Sequence, residues 1–400
     1  MKTTVIWSLL MLSGSLTAMA RAQSRDDIAK QFAGMWRLPK PECWPASNRI
    51  SFTAVSEEAS NLWELDISPV TGKASGALRK LTTGAGNELE PSCAAAGAVA
   101  FTKGESRRDV WSLPFDLNHG TPTGAPKRIT HGPAFREHVS LSADAHRAAF
   151  ASDQDGTLNI WTRDLWTGKE SRLAGSPLLQ RYPVSDASGA RIAFSVYEKE
   201  RREVYLSATG GTAEKLCEGC LRATDWSRDE KSLLVFGGNP YQIDVLDIAS
   251  HRQRPLLRHP AYNLLYARFS PDNRWVSFTA RTAPNRGRIF IAPVGESKPI
   301  PESAWLPVAE GSAEDWAIWS PDGQTLYFTS GRDGHVCIWG QRMAAGSHRP
   351  VGEPFAAQHF HGRALYQQGG WSATQGRIAI VLREDTGNIW MMSAGADARF

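Results

Sequence analysis

The sequence predicts an all-β chain folded as a β-propeller of four-stranded blades, and three observations carry that expectation. A short apolar strand anchored on Phe or its equivalent recurs at Phe52, Phe101, Phe150, Phe194, Phe236, Phe278, Phe328 and Ile380, roughly 42 to 52 residues apart. Polar turns of the Ser-Pro-Asp-Gly type lead into these strands, clearest in Ser320-Pro321-Asp322-Gly323 and Ser270-Pro271-Asp272. A further strand bearing an aromatic residue follows, as in Asn159-Ile160-Trp161 and Asn388-Ile389-Trp390. A repeat of this length built only from strands and turns is the mark of a propeller, in which each unit buries its faces against its neighbours.

Each repeat reads as four strands. The first ends in the Ser-Pro-Asp-Gly sequence or a degenerate copy, such as Leu141-Ser142-Ala143-Asp144, Trp226-Ser227-Arg228-Asp229 or Trp371-Ser372. Pro presets φ in such a turn, and Asp bonds nearby backbone amides. The second strand is of the Ile192-Ala193-Phe194 type, and a Gly- or Asp-rich hairpin such as Arg332-Asp333-Gly334 leads to the third. Large apolar and polar residues alternate along these runs, the period-two signal of half-buried strands. The fourth strand is short and basic-apolar, as in Leu78-Arg79-Lys80-Leu81 and Lys127-Arg128-Ile129. No such strand follows Trp390, whereas Met35-Trp36-Arg37-Leu38 matches it and has no blade of its own. The N-terminal strand is therefore expected to pair with the last blade and close the ring, leaving no open edge. Eight blades are expected, with seven as runner-up because the first two repeats are the most degenerate. A helix signal is confined to Arg25 to Phe32.

Residues 1–22 read as a signal peptide: Lys2, an apolar run from Val5 to Ala20, and the small-x-small site Ala20-Arg21-Ala22. An extension at 23–34 and a propeller domain at 35–395 follow, and a periplasmic or secreted location is expected. The 400 residues carry a formal charge of +4, with 45 basic and 41 acidic residues, too small and too scattered to suggest nucleic acid. No second apolar span argues for an integral membrane segment after leader removal, and a monomer is expected. Five cysteines are present. Cys217-Glu218-Gly219-Cys220 sits in a turn between strands with no βαβ pattern around it, so a local disulfide is expected there in preference to redox chemistry. Cys43 and Cys93 occupy corresponding places in the first two repeats, which leaves a bridge between them open. Cys337 reads as a small buried hydrophobe within a strand.

The series Ser-Pro-Asp-Gly, Phe328-Thr329-Ser330, Asn-Ile-Trp and an Arg-Leu-Thr-like strand resembles the TolB-type repeats, relatives of the Trp-Asp repeats, over about residues 35–393. The resemblance implies an exported bacterial propeller. Related repeats occur in prolyl-oligopeptidase-like enzymes and in oligogalacturonate lyases. The separate α/β domain of TolB has no counterpart in this sequence, and no Gly-x-Ser-x-Gly elbow is present to supply a hydrolase half.

Residues just before each innermost strand should converge on one opening of a propeller channel. They nominate His138, Tyr182 and Asp225, then Tyr266 and Arg268, then Glu314, Asp315 and Tyr366, as a ligand- or partner-binding mouth. A wet channel would by itself also collect polar residues there. His359-Phe360-His361 places two imidazoles on one side of an extended strand, and the lyase resemblance implies a clustered-histidine metal site. Two ligands do not complete such a site, so a structural or solvent-exposed pair is expected. Asp153-Gln154-Asp155-Gly156 reads as a hairpin turn in preference to a calcium loop, since the remaining ligands are missing. The resulting expectation is a scaffold without enzymatic activity or cofactor, binding a protein, peptide or other ligand through the channel mouth. The alternative is a metal-dependent carbohydrate-active enzyme resembling oligogalacturonate lyase.

Overall fold

The computed structural model describes residues 40–393, apart from short stretches at 47, 57–58, 72, 76, 84–86, 95–97, 174–175, 199–200, 284–285, 296–298, 312–313, 362–363 and 366–369. The leader, the extension and the expected closing strand Met35 to Leu38 lie outside the described residues. The chain is a β-propeller built mainly from four-stranded antiparallel sheets, with one turn of 3-10 helix among the described residues, at Glu302–Ala304. Among the described residues no helix is long and apolar enough to cross a membrane.

Two compact units are present. The smaller contains the residues up to Ser106 and those from Asp385 onward. Its first sheet runs Lys40–Ala46, Arg49–Ser56, Ala59–Asp66 and Arg79–Lys80 in that order, closed over Ile50, Phe52, Ala54 and Leu65. Its second sheet pairs Asn87–Cys93 with the opening half of a long strand, Ala98–Asp116. Leu62 of the first sheet meets Val99 and Phe101 of the second. A disulfide from Cys43 to Cys93 ties the first strands of the two sheets together. Beneath it Asn61 Nδ2 donates to the buried Glu88 carboxylate at 3.1 Å, and Lys103 lies 3.4 Å from the same group.

The larger unit spans Arg107 to Glu384. Five consecutive four-stranded sheets occupy it, opening on the innermost strands Arg136–Leu141, Leu179–Ser185, Cys220–Trp226, Asn263–Phe269 and Asp315–Trp319. A sixth is assembled from both ends of the unit. Trp371–Thr374 pairs with the start of Gly376–Ser393, which neighbours the later half of Ala98–Asp116, and Lys127–Arg128 pairs with that half in turn. The sixth sheet sends Val110, Ala379 and Val381 against Val139 and Phe150 of the first. On its other face Trp111, Ile378 and Ile380 meet Trp316, Tyr327 and Ile338 of the fifth. Buried aromatic and branched side chains between sheets are thus the cement of the unit, each removing apolar area from water at about 25 cal/mol per Å².

The Ser-x-Asp turn explains its own recurrence. In Ser142, Ser227, Ser270 and Ser320 the hydroxyl donates to the Asp two residues on, each at 2.6 Å. The same oxygen accepts the amide five residues on, at 2.9–3.0 Å. The bonds survive where Pro is replaced by Ala143 or Arg228, so Ser and Asp carry the turn and Pro only assists it.

Gly104 and Thr386-Gly387 each lie within a long strand, Ala98–Asp116 and Gly376–Ser393, and the two strands are neighbours. Glycine permits the approach. A Cβ on Gly104 would meet the Thr386 carbonyl oxygen at 2.7 Å, and one on Gly387 would meet that of Lys103 at 3.0 Å.

Candidate binding site at the inner strands

The site grows from one backbone device. In four innermost strands of the larger unit a bulge sits opposite the second-strand Phe anchor: His138 opposite Phe150, Tyr182 opposite Phe194, Tyr266 opposite Phe278, Trp316 opposite Phe328. Their φ values are 53°, 58°, 54° and 56°. Non-glycine residues in the left-handed region cost on the order of 1–3 kcal/mol each and persist only where surrounding contacts determine them. The bulge places two residues against one and re-aims the first side chain. In the sixth sheet the corresponding residue, just before Trp371, is Gly370 at φ 63°, where a Cβ would stand 2.9 Å from the Trp316 ring.

The re-aimed side chains gather around Arg222. His138 and Tyr182 pack with ring centroids 3.9 Å apart, and Tyr266 stacks on Trp316 at 4.0 Å. The Arg222 guanidinium lies over Tyr182 at 3.7 Å, Trp316 at 4.5 Å and Tyr266 at 5.3 Å. Arg222 is 8% exposed, its Nε has no hydrogen-bond partner, and among the described residues no carboxylate lies within ion-pair distance of it. Aromatic faces help to offset the desolvation of this cation, and burial pushes its pKa below the usual arginine range. Burial likewise pushes the His138 imidazole down to about 4 against the pull of Glu137, whose carboxylate is 3.1 Å from Nδ1, so the ring is neutral at pH 7. Burial works to raise Glu137, but His138, Arg181 and Arg108 hold it below the usual carboxylate range.

Beyond this cluster, toward the Ser-x-Asp turns, a basin of about 370 Å³ opens. Phe269, Ile318 and Trp319 line it together with Pro271, Pro321 and the Trp371–Thr374 strand's Ser372, Ala373 and Thr374. Arg268 lines both spaces and carries Asp225 at 3.3 Å, while Asp225 also accepts the Phe269 amide at 2.8 Å. Burial raises the Asp225 carboxyl, opposed by Arg268.

The nominated residues thus divide. His138, Tyr182 and Tyr266 form the aromatic cluster, and Asp225 and Arg268 form the basin floor. Glu314 is fully buried, accepting from Ser330 at 2.8 Å and pairing with Arg332 at 3.0 Å at the hairpin end of the fifth sheet, so it does not line an opening. Its removal from the mouth follows from strand register: Asp315 pairs across to Thr329, leaving Glu314 beside the hairpin. Asp315 pairs with Arg281, and burial raises it to about 6. Tyr366 lies outside the described residues. Sequence reasoning left Trp316 and Gly370 out of the site, although the repeat frame contained the signal, since each falls at or beside the position facing an anchor.

His359 and His361 point to one place because Phe360 between them is buried in the core. Asp333 joins them, its Oδ2 3.0 Å from His359 Nδ1 and 3.4 Å from His361 Nε2, and so does Cys337, buried and free of disulfides. Both imidazoles are about half exposed, as expected of a solvent-facing pair, and the hairpin Arg332-Asp333-Gly334 brings Asp333 beside them. Cys217 and Cys220 are bridged, and Gln253 Nε2 donates to Cys217 Sγ at 3.0 Å.

The architecture and the inward-aimed inner strands define a β-propeller scaffold, a class that presents surfaces and specifies no chemistry. The fold is TolB-like. TolB from Agrobacterium tumefaciens is similar over 70% of this chain and 99% of its own, at 16% identity and a TM-score of 0.53. TolB from Acinetobacter baumannii aligns with 85% of this chain and 80% of its own at 12% identity and TM-score 0.48, and a chain of a nidogen/laminin complex with 68% and 98% at 13% and 0.47. At these identities the likeness concerns the fold. No protein-family model and no curated protein matches the chain.

Proposed function

We propose that this chain is an exported, non-enzymatic scaffold whose larger unit binds a protein or peptide partner at the end of its inner strands. The observation that carries the reading is the basin around Asp225 and Arg268, with Arg268 also bordering the aromatic cluster that holds the buried Arg222. Apolar walls of Phe269, Ile318 and Trp319 suit an inserted side chain. The Arg268 guanidinium at the basin favours an anionic group on the segment that enters, a carboxylate side chain or chain terminus, by charge-assisted hydrogen bonding. The leader-like residues 1–22 support an encounter in the periplasm or outside the cell.

A photo-crosslinking residue at Ile318, compared with one at the exposed Val70 of the smaller unit, tests the reading in the producing cells. Crosslinking to one defined partner from position 318 alone, abolished by Arg268→Glu, is the expected result. Equal capture from both positions, or capture unchanged by Arg268→Glu, would move the binding surface elsewhere.

A further inference from the structure

We propose that Asp333, Cys337, His359 and His361 form a four-ligand zinc site on the fifth sheet of the larger unit. The ligand atoms, one carboxylate oxygen, one thiol sulfur and two imidazole nitrogens, all lie within 4.8 Å of one another. Tetrahedral zinc with bonds of about 2.0–2.3 Å needs ligand atoms roughly 3–4 Å apart. The cluster is therefore already contracted to within small side-chain rotations of that geometry.

Two segments of one sheet bring the ligands together. The hairpin after Thr325–Ser330 turns at Gly334, φ 88°, and sets Asp333 back over Cys337, the first residue of Cys337–Met343. The chain leaving Pro350–Gln358 then passes the same place, and buried Phe360 aims the histidines on either side of it at Asp333. The His359 and His361 ring centroids are 4.7 Å apart, and His335 stands 4.6 Å from His361 as an outer neighbour.

Residue chemistry selects the metal. Thiolate with imidazole suits zinc, whereas magnesium, calcium and manganese take oxygen-rich shells. Four protein ligands leave no open position, which is the form of a structural zinc site and not a catalytic one. Bound zinc pins the end of the fourth strand to the second hairpin of the same sheet. This site shares no residue with the basin or the Arg222 cluster, so its failure and that of the binding reading are separable.

Full-length protein freed of metal and titrated with cobalt(II), then competed with zinc(II), tests the assignment. Expected are one ion per chain, the intense visible bands of tetrahedral cobalt, and a thiolate-to-cobalt charge-transfer band that Cys337→Ser removes. His359→Ala/His361→Ala should weaken zinc binding by more than the roughly 10- to 100-fold that loss of an outer-shell partner costs. Because the wild-type spectrum is decisive alone, a variant that fails to fold leaves the test intact. A weak octahedral spectrum without the thiolate band, or no uptake by the wild-type chain, overturns the proposal.

Discussion

The same inner-strand bulge occurs in both units with opposite content. In the smaller unit it falls opposite Phe101 and holds Glu90 at φ 55°, an exposed carboxylate. In the larger unit it holds His138, Tyr182, Tyr266 and Trp316, packed around Arg222. Because an exposed Glu tolerates the same left-handed backbone, the bulge belongs to the architecture of the repeat. What distinguishes the larger unit is the set of side chains that the bulge turns inward. Backbone strain therefore marks the position, and the rings and Arg222 are what set the larger unit apart.

The largest test of that contrast is truncation at matched positions. Trp316 is 5% exposed and lies against Tyr266, Arg222 and Gly370, so Trp316→Ala should cost about 3–5 kcal/mol as a cavity forms. Glu90→Ala should change stability by no more than about 0.5 kcal/mol. Urea unfolding of both variants reads the difference, and equal losses would mean that the two bulges serve the same role.

A smaller effect follows from acid. The His138 ring accepts a proton near pH 4 when folded and near 6.5 when unfolded, so the unfolded state takes up protons first as pH falls. The stability that neutral His138 contributes is present above pH 6.5 and is lost on the way down to 4, by at most about 3 kcal/mol. Asp315 works in the opposite sense: raised to about 6 from 3.8, its folded carboxyl binds a proton first and favours the folded state as pH falls through 6. The stability difference between wild type and His138→Gln isolates the histidine. That difference should shrink between pH 6.5 and 4, and a pH-independent difference would show the ring to be solvated.

Smallest is Gly370→Ala, which asks whether glycine here is space or habit. Its φ of 63° and the 2.9 Å approach to the Trp316 ring predict a loss of about 1–3 kcal/mol. In a Trp316→Ala background the steric part should vanish and leave only the backbone cost. An unchanged loss in that background would assign the whole effect to φ.

Much of the fold was legible because its causes are local. The Phe anchors occupy buried second-strand positions from Phe52 to Phe328, as period-two patterning requires. The Ser-x-Asp turns close through atoms no more than five residues apart, so four copies could be read without knowing any neighbour. The candidate site was half legible. His138, Tyr182 and Tyr266 were found by their place in the repeat, whereas Trp316 was passed over for its neighbours Glu314 and Asp315, because a one-residue difference in register decides which side chain turns inward.

By itself the sequence determined the strand-and-turn repeat, its anchors and its turn locks, since each depends on alternation and hydrogen bonds within a few residues. Only the tertiary structure decided that the strands around Gly104 and Gly387 run on as neighbours. The same holds for the meeting of Arg222 with Trp316, and of Asp333 and Cys337 with His359 and His361. Those arrangements depend on which distant segments come within a few ångströms, and the chain pattern is silent on that because both partners look locally alike in either arrangement.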